Sequence, residues 1–509
     1  MTYNERLPGA APMTGPIRFL LNGVPVEVTG IAPQLTLLEY LREARGLTGT
    51  KEGCAEGDCG ACTVVLAERS DDGLSWQPIN ACIRLLPSVD GKAVFTVESL
   101  RGADGTLHPV QQAMVDAHGS QCGFCTPGFV MSLFALYKNA HAPVREAVCD
   151  ALSGNLCRCT GYRPILVAAE RMYALPATGD WRACGRDTRG QRVITQDERH
   201  LADSLSRLAR RETLEYEATG QRWFAPRTLE ALVELCSAHP DARIVAGATD
   251  IGLWVTKQHR MLGDVIYVGD VPTLHAIEES EQGLTIGAAA SLTRAFDALD
   301  QRFAELHEGW VRFASPPIRA SGTLGGNVAN GSPIGDSMPA LIALGTRVVL
   351  ARDGGTREMP LEDFYLAYQK NARQPGEVVA ALRIPPRATN LVLRAYKISK
   401  RFDQDISAVF ACFALVIDGG RVASARIGCG GVAPVPARAR RTEALLAGKP
   451  WTAELARAAG EQLAREFTPI DDARATAQYR ARVLGNLMPR LWAESSGVAA
   501  RVESIAAAT

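Results

Sequence analysis

The stretch TKEGCAEGDCGACTVVL, Thr50–Leu66, decides how the amino-terminal part of the chain is interpreted. Three of its cysteines have C-x4-C-x2-C spacing and a fourth follows within NACIRLL, a pattern typical of a 2Fe-2S cluster site. Glycines in the loop would let backbone N–H groups turn towards the sulfurs, which tunes a cluster's reduction potential. The predicted ligands are Cys54, Cys59, Cys62 and Cys82, and the loop glycines are Gly53, Gly57 and Gly60.

A structural zinc site is the alternative interpretation of these cysteines, because four thiolates also suit tetrahedral Zn²⁺. Zinc sites usually present paired short C-x2-4-C knuckles. Here three cysteines share one glycine-rich loop and the fourth is distant. The spacing therefore favours the plant-type 2Fe-2S cluster over zinc.

A second cysteine set follows in CGFC and CRC. CGFC alone is typical of a thioredoxin-like redox pair. A C-x-C pair is hard to arrange around one zinc ion but can span one iron of a 2Fe-2S core. Thr126 and Pro127 follow like an N-cap and first residue of a helix aimed at the site, which would stabilise a negatively charged cluster. The predicted ligands of this second cluster are Cys122, Cys125, Cys157 and Cys159.

The other cysteines are isolated from these sets, and we predict that they are buried core residues rather than ligands. Cys149 lies on a helical stretch, Val144 to Leu152, with Val148 and Leu152. The isolated cysteines are Cys149, Cys184, Cys236, Cys412 and Cys429.

Length and composition indicate a soluble chain of several domains. The chain has 509 residues, enough for several domains. Its 55 basic and 55 acidic side chains give a formal net charge of zero, so no overall positive charge would attract nucleic acid or anionic lipid. Met1 to Phe19 does not resemble a secretory leader, and the uncharged stretch Ala117 to Tyr137 contains too many polar residues for a membrane span. We therefore expect a cytoplasmic protein without a nucleic-acid or membrane partner.

The hydrophobic pattern predicts an α+β multidomain chain. The amino-terminal part carries a hairpin signal at Asn22-Gly23, a leucine-rich segment typical of a helix from Leu35 to Leu41 and a strand-like run from Ala93 to Leu100. Helical periodicity follows after Pro109, with one face formed by Phe129, Leu133, Leu136 and Tyr137, and helices and strands alternate later in the chain. Twelve charged residues between Arg186 and Glu212 indicate a solvated linker or an exposed helix. The predicted segments are an α+β domain at 16–102, a helical domain at 103–185, a charged linker at 186–218, an α/β or α+β domain at 219–388 and a carboxy-terminal domain at 389–505.

Two loops in the middle of the chain, AGATDIG (Ala246–Gly252) and SGTLGGNVANGSPIGDS (Ser321–Ser337), are rich in small residues. Such loops can bring backbone N–H groups onto a pyrophosphate. A third stretch, Gly428–Ala433, fits the dinucleotide pattern G-x-G-x-x-A. Pro434 and Pro436 would prevent the helix which that pattern requires, so we reject it as a nucleotide site.

Taken together, the cysteine sets resemble those of the molybdenum hydroxylase family. The stretches that carry the resemblance are TKEGCAEGDCGACTVVL, HPVQQAMVDAHGSQCGFCTPGFVMSLFALY and LSGNLCRCTGYRPI, which are most similar to purine-oxidising members. The resemblance extends over nearly the whole chain. It implies a β-grasp 2Fe-2S ferredoxin domain, a four-helix 2Fe-2S domain, a vanillyl-alcohol-oxidase-like FAD-binding domain and a carboxy-terminal CO-dehydrogenase-flavoprotein-like domain.

The same resemblance implies a set of FAD-binding residues. Ala248 departs from it, because some animal relatives carry asparagine there, and Lys397 could instead be a solvated lysine at a strand end. The pyrophosphate side is implied at Ile244, Val245, Ala246, Gly247, Ala248, Thr249, Asp250 and Ile251. The adenosine and isoalloxazine sides are implied at Phe313, Thr323, Leu324, Gly325, Gly326, Asn327 and Asp336, with Val379 and Lys397 completing the flavin pocket and Tyr368 near the nicotinamide of NAD+.

By resemblance, the chain is an electron-transfer subunit. Electrons would pass from molybdenum in a large molybdopterin-binding partner to the second cluster, then to the first cluster, FAD and NAD+, during oxidation of hypoxanthine to xanthine and of xanthine to urate. Two small and two large subunits are implied, and no catalytic triad or carboxylate pair is evident in this chain. The alternatives are the equivalent subunit of an aldehyde, carbon monoxide or N-heterocycle hydroxylase, and a zinc-stapled interaction protein.

Overall fold

A computed structural model describes residues 15–71 and 73–497 of the chain. The residues form two compact units, the first ending at Val271 and the second beginning at Pro272. This boundary falls inside the segment 219–388 that the sequence predicts as one domain. Most of the stretch considered as a leader, and the end of the predicted carboxy-terminal domain, lie outside the described residues.

The first unit begins with a five-stranded sheet in the order β2-β1-β5-β3-β4. β1 pairs antiparallel with β2 through the predicted turn at Asn22-Gly23, where both residues have positive φ, so the hairpin is confirmed. β1 and β5 are parallel, and β3 pairs antiparallel with both β4 and β5. The strands are β1 (Ile17–Leu21), β2 (Val24–Val28), β3 (Thr63–Ser70), β4 (Gly73–Asn80) and β5 (Ala93–Phe95).

The leucine-rich segment predicted as a helix from Leu35 to Leu41 begins two residues later. Thr36 and Glu39 form a capping box at the start of α1 (Leu37–Glu39), which continues as a π-helical turn, Tyr40–Ala44. Two short 3₁₀ turns, Leu86–Val89 and Val97–Leu100, complete this part. The second of them replaces the end of the strand predicted over Ala93 to Leu100.

Four helices follow the sheet, and their apolar faces form one core with β3, β4 and β5. Of the predicted helical face, Phe129, Leu133 and Tyr137 are buried and Leu136 is partly buried. Cys125, rather than Thr126, is the N-cap of the second of these helices, and Thr126 is its first residue. The helices are α2 (Pro109–Asp116), α3 (Thr126–Asn139), α4 (Arg145–Leu152) and α5 (Arg163–Arg171), followed by a 3₁₀ turn, Met172–Ala174.

The segment 186–218 is closer to the predicted exposed helix than to the predicted solvated linker. It contains helix α6 (Gln196–Leu208), capped by the Thr195 side chain. Leu201 and Leu205 are buried in the same core as the four helices, and the carboxylate of Glu198 is buried between Lys138 and Arg192. The density of charge misleads here, because one acidic side chain is paired internally and the apolar residues fall on one helical face.

The end of that segment belongs to the next sheet. Strand β6 (Leu214–Ala218) pairs antiparallel with β7 (Gln221–Ala225), so the sheet begins before residue 219. β7, β9 and β8 are parallel, and the strand order is β6-β7-β9-β8. The remaining elements are α7 (Leu229–Ala238), β8 (Arg243–Val245), α8 (Ile251–Thr256) and β9 (Val265–Tyr267).

The second unit contains an antiparallel sheet in the order β10-β11-β16-β12-β13. Its strands are β10 (Ile277–Ser280), β11 (Gly283–Gly287), β12 (Arg347–Arg352), β13 (Gly355–Pro360) and β16 (Val378–Ile384), beside a hairpin of β14 (Tyr365–Ala367) and β15 (Lys370–Asn371). Its helices are α9 (Leu292–Arg302), α10 (His307–Val311), α11 (Pro316–Ser321), α12 (Leu324–Asn330), α13 (Ser337–Ala343) and α14 (Leu361–Phe364), with 3₁₀ turns at Pro272–His275 and Ala304–Leu306.

A second antiparallel sheet and three helices end the described chain. The strands are β17 (Leu391–Ile398), β18 (Val409–Asp418), β19 (Arg421–Gly430) and β20 (Ala437–Arg438), and the helices are α15 (Arg440–Leu446), α16 (Ala453–Ala464) and α17 (Ala477–Ser495). After β19 the chain bends and enters β20 without a helix. The rejection of Gly428–Ala433 as a dinucleotide site is therefore confirmed.

A helix that crosses a bilayer needs about 20 consecutive, mostly apolar residues. Over 15–71 and 73–497, no helix combines the length and the apolar character needed to cross a membrane.

Candidate iron–sulfur and flavin sites

The loop before β3 carries Cys54, Cys59 and Cys62, and the segment after β4 brings Cys82 to them. The backbone N–H groups of Asp58 and Cys59 donate to Cys54 Sγ at 3.3 and 3.4 Å. Asn80 Nδ2 donates to Cys62 Sγ at 3.8 Å. The predicted hydrogen bonds from backbone to sulfur are thus present, and Asn80 adds a side-chain donor that the cysteine spacing did not reveal.

The four thiols of this first site form a chain of hydrogen bonds in the order Cys59, Cys54, Cys82 and Cys62. Hydrogen bonds from the thiols of Cys59 and Cys82 lower the pKa of Cys54, and the bonds that Cys82 donates to Cys54 and Cys62 raise its own pKa. Among the residues that the structure describes, no three His, Cys, Asp or Glu side chains are arranged to hold a single metal ion. A 2Fe-2S core needs two thiols at each iron, and the four thiols gathered here supply that number.

Backbone conformation explains the glycines of the loop. Gly57 and Gly60 have φ of 81° and 69°, a region that favours glycine. A Cβ on Gly53 would lie 2.8 Å from Cys59 Sγ, so this glycine provides space beside a thiol. Ala55 also has positive φ, 55°, a strained position that the sequence pattern did not indicate.

The second cysteine set is assembled by the loop before α3 and the loop before α5. The thiol of Cys159 donates a hydrogen bond to Cys122, and Cys125 and Cys157 form a second pair. Burial raises the pKa of the Cys125 thiol to about 12. Cys122 and Cys159 are exposed at the surface of the first unit. The four predicted ligands are therefore close together and open on one side.

Residues after Cys157 order its loop. Thr160 Oγ1 lies 3.2 Å from Cys157 Sγ, and the Tyr162 hydroxyl accepts from the Cys157 backbone N–H at 3.0 Å. Tyr162 has φ of 68° and is the residue before α5. These two side chains belong to the motif CRCTGY but were not predicted as part of the site.

The two cysteine loops contact each other directly. Asn155 Nδ2 donates to the carbonyl oxygen of Gly60 at 3.1 Å. The backbone N–H of Leu156 donates to the carbonyl oxygen of Cys59 at 3.0 Å. The two predicted cluster sites are therefore adjacent within the first unit.

Helix α8 links the first cysteine loop to the predicted pyrophosphate loop. Thr256 Oγ1 donates to the carbonyl oxygen of Ala55 at 2.6 Å, and Lys257 Nζ lies 3.5 Å from Glu56 Oε2. A Cβ on Gly252 would lie 2.6 Å from the carbonyl oxygen of Ile83, next to Cys82. One helix thus begins at the predicted flavin segment and ends against the first cysteine loop.

The predicted pyrophosphate segment, 244–251, forms the end of β8, a loop and the start of α8. Within the described part of the chain, the backbone N–H groups of Ala246 to Asp250 donate to no protein acceptor. Free, consecutive N–H groups of this kind bind phosphate oxygens. Ala248 has φ of 59°, in the left-handed region that asparagine and glycine adopt more readily. The loop fits a pyrophosphate, and the alanine carries strain.

The predicted segment from Thr323 to Asn327 lies at the start of α12 in the second unit. Thr323 Oγ1 caps the helix by accepting from the Gly326 N–H at 3.0 Å. The N–H groups of Leu324 and Gly325 donate to carbonyl oxygens of Ala290 and Ala288 at 3.0 Å each. These N–H groups are already engaged, so the segment can offer a small-residue surface to a ring system but not free donors to a pyrophosphate.

Lys397 and Asp336 form a buried ion pair, with Lys397 Nζ 2.6 Å from Asp336 Oδ2. Their side chains are 4% and 3% exposed, so Lys397 is not the solvated lysine of the alternative interpretation. Burial raises the pKa of Asp336. Asn327 Oδ1 accepts from Ser337 Oγ, one residue after Asp336. A buried polar centre of this kind is suited to orienting the polar edge of a flavin.

The other predicted flavin residues have different surroundings within the second unit. Val379 and Phe313 are partly buried against its core, and Phe313 packs edge-to-face on Phe296. Tyr368 lies in the turn between β14 and β15 and is 61% exposed. Its assignment to the vicinity of NAD+ stays a prediction.

The isolated cysteines were predicted to be buried. Cys236, Cys412 and Cys429 are buried, and Cys184 is partly buried. Cys149 is exposed on α4, so that prediction was wrong. The helix buries Val148 and Leu152, and Cys149 falls on its opposite face.

Four family models match consecutive parts of the chain. They are a 2Fe-2S iron-sulfur cluster binding domain (residues 19–85), a 2Fe-2S binding domain (96–170), an FAD binding domain in molybdopterin dehydrogenase (215–387) and a CO dehydrogenase flavoprotein C-terminal domain (394–495). The two 2Fe-2S models contain the two cysteine sets. The predicted α+β multidomain fold is confirmed.

Known proteins extend this match. The chain is 37% identical over 485 residues to xanthine dehydrogenase of Emericella nidulans, covering 86% of this chain and 35% of that protein. A solved carbon monoxide dehydrogenase chain from Hydrogenophaga pseudoflava is 26% identical, with a TM-score of 0.50, covering 53% of this chain and 94% of that one. Quinoline 2-oxidoreductase from Pseudomonas putida 86 shares the fold at 24% identity, with a TM-score of 0.50 over 54% of this chain and 95% of that one.

The chain matches only part of the length of its relatives. The chain spans about 35% of the length of the curated relative from Emericella nidulans. The order of the four domains, two for 2Fe-2S clusters and two of flavoprotein type, is continuous from residue 19 to residue 495. The four matched domains together are similar in architecture to the iron–sulfur and FAD part of molybdenum hydroxylases.

Proposed function

We propose that this chain is the iron–sulfur and FAD subunit of a xanthine dehydrogenase and works with a large molybdopterin-binding subunit. The observation that carries the proposal is the 37% identity to xanthine dehydrogenase of Emericella nidulans, which extends over 86% of this chain. A match over 86% of the chain is longer than the two 2Fe-2S domains or the two flavoprotein domains alone, so it is not confined to either pair.

The cofactors of the proposed subunit are two 2Fe-2S clusters and FAD. When bound, the clusters carry single electrons and the flavin gathers two electrons and delivers them to NAD+ as a hydride. Cys54, Cys59, Cys62 and Cys82 hold the first cluster, and Cys122, Cys125, Cys157 and Cys159 hold the second. Ile244–Ile251 binds the FAD pyrophosphate, and the segments around Thr323, Asp336, Val379 and Lys397 bind the rest of the cofactor.

The contacts within the first unit support the order in which electrons pass. The second cysteine site is exposed at Cys122 and Cys159, which suits electron entry from a partner's cofactor. The first site lies between that site and the flavin segment, because its loop contacts Leu156 on one side and Thr256 on the other. These contacts support the proposed path from the partner's molybdenum through the second and first sites to FAD.

The partner is the large molybdopterin-binding subunit, and the assembly contains two subunits of each kind. The substrate is bound by that partner, so the oxidation of hypoxanthine to xanthine and of xanthine to urate needs both subunits. Tyr368 is exposed at a turn of the second unit and is proposed to meet the nicotinamide of NAD+. These assignments follow from the likeness to xanthine dehydrogenase and extend it to this chain.

A second candidate substrate is supported by the solved structures. A carbon monoxide dehydrogenase chain matches 53% of this chain at 26% identity, and the fold is also that of a quinoline oxidoreductase. The corresponding subunit of an enzyme for carbon monoxide, an aldehyde or an N-heterocycle would use the same cofactors. Only the partner subunit would differ in its substrate site.

The deciding experiment is purification of the tagged chain from its native host together with its partner. Iron, inorganic sulfide, flavin and molybdenum are measured in the eluate, and NADH formation is followed with xanthine. Xanthine-dependent NADH formation is the expected result. A different outcome is a complex that contains all four components and reacts only with carbon monoxide, an aldehyde or quinoline. In that outcome, the compound that reacts would replace xanthine as the proposed substrate. An eluate with zinc in place of iron would overturn the electron-transfer proposal.

A further inference from the structure

The side-chain amide of Asn155 is buried between the two cysteine loops. Asn155 is 3% exposed, and its Oδ1 accepts from Ser132 Oγ at 2.6 Å. Its Nδ2 donates to the carbonyl oxygen of Gly60 at 3.1 Å and to Thr63 Oγ1 at 3.4 Å. Both ends of the amide therefore have partners, and a buried amide of this kind is costly to leave unpaired.

The backbones around Asn155 approach the first cysteine loop as closely as glycine permits. A Cβ on Gly60 would lie 2.2 Å from the carbonyl oxygen of Gly154, and a Cβ on Gly128 would lie 2.1 Å from the carbonyl oxygen of Gly60. No side chain can be added at either position without moving a backbone. The loops are thus in direct backbone contact at a point next to Cys59.

This junction lies between the proposed cluster ligands. Gly60 stands between Cys59 and Cys62, and Asn155 stands two residues before Cys157. The Leu156 N–H donates to the Cys59 carbonyl oxygen at 3.0 Å, so two hydrogen bonds, this one and that from Asn155 to Gly60, join the loops. Any shift of Asn155 is therefore passed directly to ligands of both sites.

We propose that Asn155 is a positioning residue for electron transfer. Its amide fixes the first cysteine loop against the second and so sets the separation and mutual orientation of the two clusters. This inference rests on the proposed function, because it requires that both cysteine sets hold clusters. It adds a residue to that function which is neither a ligand nor in contact with substrate.

The test compares Asn155→Ala with Asn139→Ala in the full chain with both clusters bound. Asn139 is a matched control because its Nδ2 donates to the carbonyl oxygens of Trp76 and Ala135 at 2.7 and 2.9 Å. It therefore joins the same sheet and the same helix α3, but at the end of α3 opposite Cys125. The measurement is the magnetic interaction between the two reduced clusters in the low-temperature EPR spectrum, together with iron and sulfide content.

The expected result is that Asn155→Ala retains the iron and sulfide of both clusters but loses or alters the magnetic interaction between them. Asn139→Ala should keep the interaction of the unsubstituted chain. An unaltered interaction in Asn155→Ala, or an equal change in both variants, would overturn the positioning role. Iron and sulfide for fewer than two clusters in the unsubstituted chain would overturn the proposed function itself.

A milder variant covers the case in which Asn155→Ala does not assemble. Ser132→Ala leaves the bond from Asn155 to Gly60 but removes the hydroxyl that orients the amide. Hydrogen exchange at the Leu156 amide gives a readout that does not depend on activity. Faster exchange at Leu156 together with an altered magnetic interaction is expected for Ser132→Ala. Wild-type exchange and interaction in this variant would count against the inference.

Discussion

The two cysteine sites of the first unit differ in how much of their surroundings the chain itself provides. Cys62 and Cys82 of the first site are 1% and 2% exposed, and glycine carbonyls and helix α8 close over their loop. Cys122 and Cys159 of the second site are at the surface. The same ligand type thus serves as a core residue in one site and as a surface residue in the other. Loss of a ligand should therefore have different consequences in the two sites.

The sharpest test of this difference exchanges one thiol in each site. Cys62→Ser should lose half of the iron and also destabilise the ferredoxin sheet, on the order of 4 kcal/mol, because a buried ligand and its cluster are lost together. Cys122→Ser should lose half of the iron but change the unfolding free energy far less. Iron analysis and denaturant unfolding of the two variants provide the comparison. Equal destabilisation would show that burial of the ligand does not matter.

Acid should destabilise the helical domain (α2 to α5) before it destabilises the sheet of β1 to β5. Burial lowers the pKa of His108 to about 4, and its Nδ1 accepts from the Val110 N–H at the start of α2. The folded pKa lies below the ordinary 6.5, so stability is complete above about pH 6.5 and falls as the pH drops towards 4. The loss amounts to about 3 kcal/mol.

The measurement for His108 is thermal unfolding of the wild type and of His108→Gln at several pH values. The variant removes the titrating ring, so the wild type alone should lose stability between about pH 6.5 and pH 4 relative to it. Parallel curves for the two proteins would contradict the assignment. Because His108 caps α2, amide hydrogen exchange during acidification should rise first in helices α2 to α5 of the first unit. Exchange in strands β3 and β4 should rise later.

The contact between the sites can be broken from the helical side. A Cβ on Gly128 would lie 2.1 Å from the Gly60 carbonyl oxygen, so Gly128→Ala should cost about 2 kcal/mol by overpacking. Gly179→Ala is the matched control, because nothing lies within 4 Å of a Cβ there. Denaturant unfolding checks both. A stable Gly128→Ala would mean that α3 and the first loop can move apart freely.

Much of the first unit was predictable because its signals are local. The turn at Asn22-Gly23, the cysteine spacing and the wrapping glycines each depend on a few neighbouring residues, and these predictions agree with the fold. Cys149 shows the limit of such reasoning. It was predicted to be buried because it lies on a helix with Val148 and Leu152, but only those two neighbours face the core. Of the two alternatives for 186–218, the solvated linker was wrong for a related reason, because a charge count does not reveal that Glu198 pairs internally with Lys138.

The contacts that join the sites were not predictable from local pattern. Asn155 and Gly60 are 95 positions apart, and Thr256 and Ala55 are 201 apart. Their roles arise only when the loops are packed together. Similarly, the pairing of Lys397 with Asp336 depends on tertiary structure, and without it a lysine at a strand end is reasonably taken as solvated. Long-range packing, rather than residue type, carries that part of the site.

The smallest expected effect concerns the backbone of the predicted pyrophosphate segment, 244–251. Ala248 has φ of 59°, and a left-handed alanine costs about 1 kcal/mol that glycine avoids. Ala248→Gly should therefore relieve strain and raise the free energy of unfolding slightly, with no change in FAD retention or at either cysteine site. Flavin retention during dialysis and denaturant unfolding measure the two effects, with iron content as the control. Weaker flavin binding in Ala248→Gly would show that the methyl group contacts the cofactor and that the strain is retained for this contact.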